Sequence, residues 1–290
     1  MLTIDEMLGL RQIDESTFAS THLWGGPVTP NAFGGQLVAL SLAAAFKTVP
    51  SNYIARSLHT QFIDAVDKTK PATFTVQDYA PGTRLVWRTV TCVQDERLAM
   101  QTVCNFIAHK PDDYQAEFQY QKPMPDVALP GAGIDSPFLL DPQGYPNQIP
   151  VMIWVTELDR DHATPAPPRQ RMWLECPSKQ KRDRQFEQCV VALYSDVHLT
   201  RVIVRPFGIR VAQPPRHLRK ILSIDHHVWF HQCVDPGRPM LVDTECAQLS
   251  AGRGIVRSEV YAHDRRLAAT IMQEGRVEID PSERLAAPKL

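Results

Sequence analysis

Apolar residues recur at helical spacing in two places, behind Phe33-Gly34-Gly35-Gln36 and behind Phe186-Glu187-Gln188-Cys189. Each pattern predicts a helix of about 15 residues. Val38-Ala39-Leu40 in the first returns as Val191-Ala192-Leu193 in the second. Beyond each helix the pattern changes to short alternating runs, the period of strands with one buried face. These runs match in order as well. Leu58-His59-Thr60-Gln61-Phe62 answers Asp225-His226-His227-Val228-Trp229-Phe230, and Val66-Asp67 before Pro71 answers Val234-Asp235 before Pro239. The glycine-led run from Gly82 to Arg88 answers Gly252 to Arg257, and Asp95-Glu96-Arg97-Leu98-Ala99 answers Asp264-Arg265-Arg266-Leu267-Ala268. The last pair has the short polar turn that joins two alternating strands. Two generic layers with accidental similarity would explain one such match; four in the same order favour an internal repeat. Each copy is then a long helix followed by three or four antiparallel strands, an α+β unit. The first helix, with Ala39, Leu40, Ala43 and Ala44, is too apolar to stand in water. A sheet wrapped round it satisfies that pattern, and two copies would pack side by side.

Proline separates the copies. Eleven of the 24 prolines fall between Pro111 and Pro168, and proline removes donors and disfavours helix before it. The expected organisation is a first unit at 1–110, a connector at 111–149, a second unit at 150–280 and a tail at 281–290. The apolar run Val151-Met152-Ile153-Trp154-Val155 is a candidate strand.

With 31 basic and 32 acidic residues the chain lacks the basic excess of a dedicated nucleic-acid binder. No run approaches the ~18 apolar residues of a membrane span, and the acidic N-terminus is unlike a signal peptide. The six cysteines include no Cys-x-x-Cys pair, and the ten histidines offer no ligand-like spacing. No metal site and no disulfide framework are expected.

The nucleophile elbow of serine hydrolases and the glycine-rich dinucleotide and phosphate loops are all missing from the sequence. Gly34-Gly35 at a helix start is a weak signal of another kind. Two glycines let a ligand approach the backbone, where first-turn N–H groups can receive an oxyanion, although most such pairs are turns or packing points. The copies also differ in polarity. Ala43 stands opposite Asp196, and Cys104 opposite Gln273. Gln273 ends a row of Leu267, Ala269 and Ile271 on one strand face. A carboxylate and an amide in a buried setting need partners, and these two could satisfy each other and hold a water. On spacing alone, a helix-ending Asp196 and a strand-ending Gln273 remain the stronger explanation.

Five motifs change that balance. Phe33-Gly34-Gly35-Gln36, Ser57-Leu58-His59-Thr60-Gln61-Phe62, the run from Ser223 to His231, the run from Gly252 to Tyr261, and Met272-Gln273-Glu274-Gly275 together resemble the type II acyl-CoA thioesterases. The resemblance covers nearly the whole chain outside the connector. It implies a double hotdog fold and hydrolysis of a fatty acyl-CoA to free acid and CoA, with no cofactor. It also implies a catalytic trio of Asp196, Ser223 and Gln273, with Gly34 and Gly35 beside the substrate. Arg253 and Arg257 become candidates for CoA phosphates, against the alternative of solvated strand residues. Arg84 and Leu85 depart from the family pattern before Arg88, which leaves acyl-chain preference open. His59, with His227 as its repeat partner, is expected to pack rather than react, and the pair His226-His227 to decorate the sheet surface. The implied partner is an acyl-CoA substrate, with other copies of the chain as a further option. An enoyl-CoA hydratase and a non-catalytic acyl-CoA-binding protein remain as alternatives. The C-terminal Pro288-Lys289-Leu290 resembles a peroxisomal address with proline in the small-residue place, so peroxisome and cytoplasm both stay open.

Overall fold

The computed structural model of the chain describes residues 2–26, 29–80, 85–108, 119–130, 149–155, 165–178, 180–209 and 218–280. The first copy runs α1 (Ile4–Met7), β1 (Leu10–Gln12), β2 (Thr17–Ser20), α2 (Gly34–Phe46), β3 (Tyr53–Phe62), β4 (Thr73–Ala80), β5 (Leu85–Gln94) and β6 (Arg97–Ala108). The second runs β7 (Met152–Val155), β8 (Arg169–Glu175), α3 (Arg184–Tyr194), two 3-10 turns (Leu199–Ile203 and Arg205–Phe207), β9 (Leu218–Ser223), β10 (Asp225–Phe230), β11 (Met240–Ser250), β12 (Arg253–Tyr261) and β13 (Leu267–Ile279). The expected tail with Pro288-Lys289-Leu290, together with Gly82 and Arg84, lies outside the described residues. So does most of the connector. No helix among the described residues is long and apolar enough to cross a membrane.

All strands belong to one antiparallel sheet, ordered β1-β2-β4-β5-β6-β3-β10-β13-β12-β11-β8-β7, with β9 continuing the edge of β13 beyond β10. Reading outward from the centre, β3-β6-β5-β4-β2 in one copy mirrors β10-β13-β12-β11-β8 in the other. The seam is the antiparallel pair β3–β10, where His59 stands opposite His227. The repeat is therefore a true structural one, and it joins edge to edge into a continuous sheet. That solution also removes two exposed strand edges. Each copy includes a strand before its helix, β2 and β8, that the periodicity did not predict. The run containing Val151 does form a strand, β7, paired with β8.

Helix α2 is buried from Gly35 to Phe46 except at Ala43, as its composition requires. It packs on α3 so closely that a Cβ on Gly35 would lie 2.6 Å from the Leu193 carbonyl oxygen. Asp183 caps α3, its carboxylate accepting from the Phe186 N–H at 2.8 Å. The hairpin between β5 and β6 turns on Asp95 and Glu96, both at positive φ, the geometry a two-residue hairpin requires. Residues 119–130 of the connector lie over the second half of the sheet. Met124 is buried there with Trp173, Leu241 and Tyr261, and the Trp173 indole N–H donates to the Ala128 carbonyl at 3.0 Å.

Candidate active site

The end of α3, the start of α2 and the inner face of the seam converge on one polar cluster. Asp196 follows the last turn of α3, where the chain passes into the 3-10 turn at Leu199–Ile203. That turn is seated by two glycines. Gly254 and Gly275 are cross-strand partners on β12 and β13. A Cβ on either would come within 2.7 Å of Ile203 side-chain carbons, so only glycine lets the turn settle onto the sheet. The Gly-x-Gly run and the glycine of Gln273-Glu274-Gly275 thus fix where α3 ends, and with it Asp196.

Gln273 lies on the inner face of β13 and is 1% exposed. Its Nε2 donates to Ser223 Oγ at 2.6 Å, and its amide lies beside the Asp196 carboxylate, whose pKa it pulls down. Ser223 ends β9 opposite Gly275. Between β9 and β10 the Ile224 N–H still bonds the Glu274 carbonyl, while the Glu274 N–H turns to the Asp225 carboxylate. This local break in the ladder carries Ser223 beside Gln273.

The first copy supplies the opposite wall. The Gly35 backbone N–H, a first-turn donor with no intrahelical partner, faces the Asp196 carboxylate and pulls its pKa down. A Cβ on Gly34 would stand 2.9 Å from Asp196 Oδ2 and 3.3 Å from the Phe62 ring. Burial pushes the Asp196 carboxyl up to about 7, against the downward pull of Gln273 and the Gly35 N–H. Gln36, one residue on, is fully buried and ties the N-terminal segment to this helix start. It accepts from the Trp24 N–H at 2.7 Å and donates to the Met7 and His22 carbonyls.

Sequence reasoning missed one member of the cluster. His226 does not decorate the surface. It is fully buried on the inner face of β10, its Nδ1 hydrogen-bonded to Gln273 Oε1 and its Nε2 2.7 Å from Ser195 Oγ. The alternation of β10, with His226, Val228 and Phe230 inward, was the signal that could have found it. His227 takes the outer face and stacks on His59 with ring centroids 4.5 Å apart, the packing role expected for His59.

Two expected members are not brought to the cluster. Arg257 pairs in register with Met272, and Gln273 points the other way. It lies on the outer face, bonded to Glu259 at 2.8 Å. Arg253 is likewise on the outer side of Gly254 and paired with Glu274. The period-two geometry of their strand puts both on the face of the sheet opposite Gln273. Among the described residues no three metal-ligating side chains are grouped.

Residues 128–277 match the family model of the acyl-CoA thioesterase C-terminal domain, and residues 21–107 that of its N-terminal domain. The chain belongs to the type II acyl-CoA thioesterase family. It is 27% identical over 283 residues to acyl-CoA thioesterase 2 of Haemophilus influenzae, covering 93% of this chain and 94% of that one. It is 26% identical to acyl-coenzyme A thioesterase 8 of Homo sapiens, covering 96% of this chain and 89% of that one. In fold it resembles the crystal structure of an acyl-CoA thioesterase II from Mycobacterium marinum, with a TM-score of 0.76 and 22% identity over 97% of this chain and 99% of that one. The double hotdog is thus the observed fold, and hydrolysis of an acyl-CoA thioester is the activity. Hydration of an enoyl-CoA, or binding without turnover, is not favoured.

Proposed function

We propose that Asp196, Ser223 and Gln273 carry the hydrolysis by activating water, with no covalent acyl-enzyme. The observation that supports this reading is the placement of a carboxylate beside a hydrogen-bonded amide and hydroxyl at a helix start opened by two glycines. The Asp196 carboxylate takes a proton from water while the water oxygen attacks the thioester carbon. Gln273 and Ser223 hold that water against Asp196. As the tetrahedral intermediate collapses, the C–S bond breaks and the proton on Asp196 passes to the departing thiolate. The Gly35 N–H faces Asp196, and the N–H of Gly34, the other first-turn donor there, is assigned to the developing oxyanion. A fatty acyl chain extends from there between helix and sheet, past Phe62. Asp196→Asn keeps the shape and removes the base. Thiol release from long-chain acyl-CoA should fall by roughly 10²-fold or more in kcat. Near-normal turnover in a correctly folded variant would overturn the assignment.

A further inference from the structure

We propose that His226 and Ser195 are positioning residues that lock the Gln273 amide with its NH2 toward Asp196 and its carbonyl away. The inference rests on the roles given above to Asp196 and Gln273, and extends them to two residues that touch neither substrate nor water.

A chain of donors and acceptors fixes the direction. An ionised Asp196 only accepts, so the Gln273 group facing it must be Nε2, which also donates to Ser223 Oγ. Oε1 therefore faces His226 Nδ1, and Nδ1 must carry a hydrogen. Burial holds His226 neutral, pulling it down to about 4, so it has a single ring proton. Nε2 is then a lone pair, and the Ser195 hydroxyl, 2.7 Å away, must donate to it. Ser195 Oγ also lies 2.7 Å from the Ala192 carbonyl, the alternative acceptor for its proton. If the proton went there, His226 would shift to the other tautomer and the Gln273 amide would turn over, setting its oxygen against the carboxylate. The groups around His226 leave few other partners. On β3 the opposed Thr60 is spent on Thr102 at 2.9 Å. Asp225 and His227, its charged or titratable neighbours, lie on its own strand.

The internal repeat gives independent support. With the seam centred on His59 and His227, Leu58 occupies the place of His226. Leu58 pairs with Cys104 on β6, the counterpart of Gln273. The helix alignment sets Leu42 against Ser195 and Ala43 against Asp196. The copy without the carboxylate and the amide is also without the histidine and the serine. All four polar positions are apolar or thiol there, as expected if they work as one unit.

The test is steady-state kinetics and pH profiles on His226→Leu, His226→Asn and Ser195→Ala in the full chain. Asn can place its amide N–H near the Nδ1 position and so keep the donor to Gln273. We expect His226→Leu to lose roughly 10²-fold in kcat with KM nearly unchanged. Its acidic limb should move up by about one pH unit, because Asp196 loses an oriented donor. His226→Asn should recover at least tenfold of that loss and restore the limb. Ser195→Ala should cost a few-fold, with a smaller shift of the same sign. If His226→Leu does not fold, the Ser195→Ala limb decides. Unchanged kinetics, or lost activity with an unmoved limb and no rescue by Asn, would overturn the inference. Asp196→Asn separates the two levels: if it is inactive while His226→Leu is fully active, only the positioning role falls. If Asp196→Asn is active, the underlying assignment falls first.

Discussion

The two copies of the hotdog share strand order, helix packing and even the stacked histidines at their seam, yet they treat the same inner positions in opposite ways. In the second copy Ser195, His226 and Gln273 form a connected hydrogen-bonded chain beside Asp196. In the first, Ala43, Leu42, Leu58 and Cys104 occupy those places, and Leu42, Leu58 and Cys104 are fully buried. The helix starts invert the rule. Gly34 and Gly35 open the start of α2, whereas α3 has Glu187 and Gln188 at the matching positions. Gln188 closes its site by bonding the N–H and the carbonyl of Ala55 at 2.8 and 2.9 Å. On the proposed assignment, a working cleft needs a polar cluster from one copy and an empty helix start from the other. Only one of the two possible clefts receives both.

The strongest way to break this comparison is to make the second cleft like the first. Asp196→Ala with Gln273→Cys should reduce thiol release by at least ~10³-fold, since base and water-holding amide go together. A tight non-hydrolysable acyl-CoA analogue should titrate to one equivalent per chain in the parent protein. Two equivalents, with half of the turnover surviving in the double variant, would mean that the first copy keeps a site of its own.

How far the sequence foretold this follows from what each signal encodes. The repeat and the helices were legible because matched periodicity records which faces are buried, whereas the edge-to-edge seam of β3 and β10 depends on strand order, which periodicity does not record. Asp196 and Gln273 stood out only as polar residues where their partners are apolar, and needed the family resemblance to outrank a strand end and a helix cap. His226 was misread because a His-His pair looks alike on either face until the register of β10 is known. Arg253 and Arg257 show the same limit in reverse: charge is visible in sequence, while the side of the sheet they take, opposite Gln273, is not. Strand β2 has only four residues, and in β8 the run from Met172 to Glu175 is buried on both faces. No alternation long enough to detect announces them.

A smaller but sharper effect is the pH response, which the second copy alone should show. Asp196 must be ionised to act, so kcat/KM should rise with pH through a limb near 7. Its folded-state value lies above the ordinary Asp value of about 3.9 in an unfolded chain. The fold therefore favours the protonated form. The stabilisation linked to it is complete below about 4 and is lost as pH rises through about 7. Thermal melts should show the parent losing stability across that window relative to Asp196→Asn, which has no proton to lose. A limb near 4 with parallel melting curves would refute the burial argument.

Gly34→Ala probes the shared wall with a single methyl group. The new Cβ would stand 2.9 Å from Asp196 Oδ2 and 3.3 Å from the Phe62 ring, which can give by a few tenths of an ångström. We expect kcat to fall by about tenfold through displacement of the base, with little change in Tm, because misplacement by a fraction of an ångström already weakens catalysis.

The closed helix start of α3 offers the matching control, and here the expected kinetic effect is nil. Gln188 stands where α2 has Gly35, and its amide satisfies both backbone groups of Ala55 inside the protein. Gln188→Ala leaves a buried N–H and a buried carbonyl without partners, at a cost of about 1–3 kcal/mol for each group left unpaired. The melting temperature should drop by several degrees. Turnover at a temperature where the variant is folded should match the parent, because nothing in the Asp196 cleft depends on that side chain. Loss of activity without loss of stability would show that the closed helix start of α3 communicates with the working cleft, and that the two halves are less specialised than their side chains imply.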